Sequence, residues 1–192
     1  AGAQALASVF DCLPPLAPTL IEGVLRAGHK MTLAGPSKAG KSFLLMSLTA
    51  AIAEGRDWLG WRCEQGRVLY VNLELDRASA LHRFSEIYGA YGWAPENVSA
   101  IDLWNLRGKA MSMDRLAPRL VRRALKKHYS AIIIDPIYKV LTGDENAAGD
   151  MAKFCNQFDL IASELGVAVI SCHHHSKGSQ GQKKAGDRAS GS

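Results

Sequence analysis

Apolar residues along the chain fall into short continuous runs, separated by stretches in which they recur every three or four positions. The runs Met31-Thr32-Leu33-Ala34, Arg67-Val68-Leu69-Tyr70-Val71-Asn72-Leu73, a weaker one near 100–104, Ala131-Ile132-Ile133-Ile134 and Val167-Ala168-Val169-Ile170 predict five strands. Between them, Phe43, Leu44, Leu45, Leu48, Ala51 and Ile52 predict a helix that stops at Gly55, and Ala78, Leu81, Phe84, Ile87 and Tyr88 a second. Leu116, Leu120, Val121, Ala124 and Leu125 predict a third over 115–128, with Pro118 in its first turn. Met151, Phe154, Cys155, Phe158, Ile161, Ala162 and Leu165 predict a fourth, closed by Gly166. Strands that are apolar throughout and alternate with helices predict an α/β fold: a mostly parallel sheet covered by helices on both faces, three layers in all. Residues 1–28 carry Pro14, Pro15 and Pro18 and are expected to be an entry segment lying against the core, with 29–192 forming the domain.

Composition changes this picture little. A chain of 192 residues is one α/β domain in size and can bury roughly 70% of its unfolded surface. No apolar run approaches the ~20 residues that cross a bilayer, and no signal peptide pattern opens the chain, so a cytoplasmic protein without membrane partners is expected. The four cysteines lack C-x-x-C spacing, which predicts that most are core thiols and argues against a zinc cage or a disulfide framework. A net charge of +5 is compatible with nucleotide or nucleic-acid partners without singling them out. The start without Met and the end at Gly191-Ser192 lead us to expect a piece of a longer protein, truncated at its carboxyl end.

The chemistry begins where the first strand meets the first helix. Gly35-Pro36-Ser37-Lys38-Ala39-Gly40-Lys41-Ser42 fits G-x-x-x-x-G-K-[ST], and Phe43 follows at the start of the helical pattern. In such a loop the glycines let backbone N–H groups turn inward around a phosphate, and the new helix points its positive end at the same anion. Lys41, expected to face solvent until ligand binds, adds a mobile charge, and the Ser42 hydroxyl is the expected Mg²⁺ ligand.

Ligands collect at the carboxyl ends of parallel strands, so the residues that end the other runs belong to the same argument. Mg²⁺ needs a carboxylate on the strand beside the loop, and Asp135, after four apolar residues, fits that Walker B role. Hydrolysis of a γ-phosphate needs a group that orients or deprotonates water, and Glu74 is the candidate base. Asp76 competes with it, although a residue there is also placed to cap the following helix. Consecutive residues on an extended chain point to opposite sides, so His173, His174 and His175 cannot converge on one metal ion. Either His173 or His174 can instead meet the γ-phosphate from the strand tip, with Lys177 adding charge.

Taken together, Gly35–Ser42, Glu74, Asp135 and His-His-His-Ser-Lys-Gly resemble the RecA-like P-loop ATPases, specifically the RepA/DnaB-type hexameric helicases of plasmids and mobile elements. The resemblance runs from about Leu20 to the end of the chain. It implies that Glu74 activates water, that Asp135 supports Mg²⁺, and that His174 or His173 senses the γ-phosphate. It also implies ATP as the nucleotide, a homo-hexamer, and an arginine finger beyond Ser192, a group worth on the order of 10³-fold in rate.

The same resemblance directs the loops 137–150 and 176–192 toward a central channel. The second holds Lys177, Lys183, Lys184 and Arg188 among Gly, Ser and Gln, which suits either a segment tracking single-stranded DNA or a merely solvated loop. The basic face Arg119, Arg122, Arg123, Lys126 and Lys127 reads as solvated surface. The leading expectation is an oligomeric ATPase motor acting on single-stranded DNA. The alternative is a nucleotide-dependent switch or partner-loading ATPase without helicase activity.

Overall fold

A computed structural model of the chain describes residues 3–109, 111–140 and 148–175, with side chains for 156–173 in the last segment. Two short strands, β1 (Thr19–Ile21) and β2 (Leu25–Arg26), make an antiparallel hairpin ahead of the main sheet. Then follow β3 (Lys30–Pro36), α1 (Lys41–Glu54), a second hairpin of β4 (Asp57–Trp58) and β5 (Trp61–Arg62), β6 (Val68–Asn72), α2 (Arg77–Tyr91) and β7 (Ile101–Asn105). The chain continues through α3 (Met113–Lys127), β8 (Ala131–Asp135), α4 (Ala148–Leu165) and β9 (Ala168–His175).

The five long strands pair in parallel in the order β3-β9-β8-β6-β7. This corrects one expectation: Asp135 is not on the strand beside the phosphate loop, because β9 lies between β3 and β8. The three-layer α/β architecture itself is as the pattern predicts. Because side chains alternate across a pleated strand, Val68, Tyr70, Ala131, Ile133, Ile170 and Cys172 pack on one face against α1, α2 and the hairpins. Leu69, Val71, Ile132, Ile134 and Val169 pack on the other against α3 and α4. Helix α1 is buried nearly all round, from Leu45 to Ala53, and ends at Gly55 in the left-handed conformation that a residue without Cβ adopts freely.

Neither hairpin is visible in the periodicity. Leu20, Ile21 and Leu25 enter the α1 face, while Leu6, Phe10, Leu13 and Leu16 of the preceding segment stay exposed. The hairpins brace each other through Glu22 N–H to Arg62 C=O (2.9 Å) and Glu64 N–H to Leu20 C=O (2.9 Å). Trp58 is buried against α1, its Nε1 donating to Leu44 C=O (3.2 Å) and Ser47 Oγ (3.1 Å). Helix α3 starts two residues earlier than predicted, so Pro118 sits inside it rather than in its first turn. No helix among the described residues is long and apolar enough to cross a membrane.

Candidate nucleotide-binding site

Strand β3 delivers the chain to the loop, which turns through Lys38 (φ +64°) and Gly40 (φ +80°) before α1 begins at Lys41. A side chain at Gly40 would be strained in that conformation, which explains the glycine that precedes the lysine. The first turn of α1 then presents its unpaired N–H groups to the loop. Lys41 does not face solvent as expected; it is 5% exposed. Its stem lies under Gly35, and Nζ donates to the carbonyls of Gly35 (2.9 Å) and Pro36 (2.6 Å). Those contacts use two of the three ammonium donors and hold the charge inside the turn. Phe43 points outward, 44% exposed, with the Arg83 guanidinium 4.7 Å from its ring centre.

Asp135 is the last residue of β8 and shares the parity of Ala131 and Ile133, so it faces α1. Three side chains meet it there. Ser42 Oγ donates to Oδ1 at 3.2 Å, Cys172 Sγ donates to Oδ1 at 2.8 Å, and Tyr70 Oη donates to Oδ2 at 2.5 Å. Asp135 is 3% exposed, and none of the ion pairs among the described residues involves it. Burial, and then the charge of Asp135, pushes the Tyr70 hydroxyl well above its ordinary pKa and raises the Cys172 thiol likewise, so both remain protonated donors. Burying a carboxylate among neutral donors is costly unless a cation also meets it.

Glu74 stands two residues beyond β6, exposed, on a bend built by Asn72. The buried Asn72 side chain accepts from the N–H groups of Glu74 (3.3 Å) and Leu75 (2.9 Å) and donates to Leu75 C=O (2.8 Å) and Asn105 Oδ1 (2.7 Å). Asn72 is in register with Asp135, and Leu73 N–H donates to Asp135 C=O at 2.9 Å, so Glu74 leaves the sheet at the same end. Its charge and that of Lys41 both reach the Cys172 thiol, the first raising and the second lowering its pKa. Asp76 caps α2, accepting from Ser79 N–H (2.9 Å) and Ser79 Oγ (2.6 Å), and those hydrogen bonds hold its carboxyl below the usual value. In β9, Ala34 pairs with His173, Gly35 with His174 and Pro36 with His175, which sets all three beside the loop's first residues. Alternation from Cys172 turns His173 to the α3–α4 side. The side chains of His174 and His175, and the loop 176–192 with Lys177, Lys183, Lys184 and Arg188, lie outside the described residues.

Sequence reasoning missed Tyr70, Cys172 and Asn72. Tyr70 and Asn72 are polar-tipped residues inside an otherwise apolar run, which was the available signal. The residues present fit a magnesium nucleotide: one hydroxyl and one carboxylate, 3.2 Å apart, are the hard oxygen donors Mg²⁺ uses when substrate phosphates and waters supply the rest.

A family model described as an AAA domain matches residues 3–180. The chain belongs to the AAA domain family. The AAA domain is a P-loop ATPase fold that generally binds ATP with Mg²⁺.

Proposed function

We propose that this AAA domain is the ATP-hydrolysing motor of a RepA-like replicative DNA helicase from a plasmid, phage or integrative element, working on single-stranded DNA as a homo-hexamer. The observation that carries the ATPase part is the buried Asp135 carboxylate, met by Ser42, Tyr70 and Cys172 and by no cation among the described ion pairs. When bound, Mg²⁺ would neutralise charge on the β- and γ-phosphates.

The chain's own residues do the rest. Backbone N–H groups of Ser37–Ser42 and the start of α1 hold the phosphates, and Lys41 spans from the loop carbonyls to them. Ser42 and Asp135 would hold the metal, while Tyr70 and Cys172 fix the carboxylate's orientation. Glu74, on the bend held by Asn72, takes the proton of the attacking water. The tip of β9 meets the γ-phosphate at His174, since alternation turns His173, the other candidate, to the α3–α4 side, and the loop after His175 meets the DNA.

The motor reading predicts that single-stranded DNA stimulates ATP hydrolysis by the full-length protein. Hydrolysis that stays flat across a titration of oligo(dT), while ATP still binds, would contradict it.

A further inference from the structure

A concave surface opens beside Glu74. It is a pocket of about 520 Å³ whose floor is Leu73 and Leu106 and whose walls are Glu74, Arg107, Lys109 and Lys139. Its position follows from the sheet: Leu106 N–H donates to Asn72 C=O (2.8 Å), which ties the β7 exit to the β6 exit, and Lys139 ends the short turn of helix after Asp135. Gly108 (φ +73°) folds the chain back so that Lys109 N–H bonds Leu106 C=O (2.9 Å), setting Arg107 and Lys109 out at the rim. Arg107 lies 3.6 Å from Asp76, but that carboxylate already accepts two hydrogen bonds from Ser79. Lys139 Nζ lies 5.0 Å from the ring centre of Tyr138.

We propose that this pocket binds phosphodiester groups of a single nucleic-acid strand and brings that strand to the edge of the hydrolytic site. The inference rests on the reading that the protein acts on single-stranded DNA, and adds where a strand is held. A site for one small phosphate is typically built from converging backbone N–H groups and a buried cation, such as Lys41 in the loop at 35–42. Here the three cations are exposed side chains, two from the turn after β7 and one from the short helical turn after β8, spread around the rim over Leu73 and Leu106. Spaced flexible cations suit a chain of phosphates, and an apolar floor suits base or sugar faces. Glu74 lines this pocket and leaves the sheet at the end where β8 stops at Asp135, so a strand lodged here adjoins the residue proposed above as the base.

The test is oligo(dT) binding to the full chain across a salt series, comparing the parental protein with K109A/K139A and the charge-keeping K109R/K139R. Loss of two contacts should weaken binding roughly tenfold near 0.1 M salt and lower the salt slope by about 1.4, at about 0.7 per phosphate on a single strand. The arginine pair should restore both, and affinity for a nonhydrolysable ATP analogue, measured alongside as a check on folding, should not move. Parental affinity and slope in K109A/K139A would overturn the pocket while leaving the DNA reading intact. Failure of the parental protein to bind oligo(dT) at all would remove both. Full displacement of the oligonucleotide by inorganic phosphate at equal phosphate concentration would mark a free-phosphate site and overturn the strand.

Discussion

Asp102 and Asp135 lie at opposite ends of the central sheet, and each accepts a hydrogen bond from a tyrosine. Near the amino end, Asp102 takes Tyr129 Oη at 2.6 Å and Lys127 Nζ at 2.8 Å, with Arg67 at 3.6 Å, and its side chain remains 28% exposed. At the carboxyl end, Asp135 takes Tyr70, Cys172 and Ser42, is almost wholly buried, and enters no described ion pair. Asp102 is thus a finished structural contact, its charge met by two cations. Asp135 has its geometry fixed and enters no described ion pair, which suits the metal-holding role proposed for it. Variants at one end should therefore alter function with little change in fold, and variants at the other should do the reverse.

The sharpest separation is expected at Glu74. Glu74→Gln should retain ATP binding and lower turnover by about 10²–10⁴-fold, the range for loss of a positioned base. A parental hydrolysis rate in a full-length, active protein would pass the role to Asp76. Lys41→Ala follows, with nucleotide affinity falling on the order of 10- to 100-fold, since a hydrogen bond to a charged group is worth about 1.5–3 kcal/mol. Calorimetric titration with an ATP analogue measures that directly, and unchanged affinity would detach Lys41 from the phosphates.

Tyr70→Phe is a smaller break at the same end. It removes the donor to Asp135 Oδ2 and leaves Ser42 and Cys172 in place, so the Mg²⁺ concentration for half-maximal nucleotide binding should rise about tenfold. The smallest effect is expected at the amino end with Lys127→Ala, which should leave hydrolysis untouched. Burial raises the Asp102 pKa, but hydrogen bonds from Lys127 and Tyr129 outweigh it, and the net value lies below the usual 3.8. The stability this gives is present above the ordinary carboxylate value and is lost as pH falls through the lowered one. Without Lys127 that loss should begin at higher pH, read as an upward shift in the midpoint of acid unfolding by circular dichroism.

Much of this contrast is legible in the residues alone. The apolar runs locate all five main strands, and the glycine-lysine motif locates the turn from β3 into α1, because both signals are local in sequence. The sheet order is not local: nothing in the runs says that β9 inserts between β3 and β8, and only pairing shows it. The two hairpins are hidden because strands of two or three residues carry no period, and their turns include Leu59 at φ +52°, a residue that does not announce a turn. Lys41 is expected in solvent because charge usually means exposure; the Gly35 and Pro36 carbonyls that draw it inward become visible only with the loop's path. Tyr70 and Cys172 read as core residues, and they are core residues whose polar tips reach Asp135.

The central claim, that Asp135 is held for the metal of a nucleotide bound at Gly35–Ser42, is tested most directly by titrating a nonhydrolysable ATP analogue with and without Mg²⁺ into the parental chain and Asp135→Asn. Mg²⁺ should tighten binding to the parental chain and have no effect on a folded Asp135→Asn. Equal tightening in both would contradict the account.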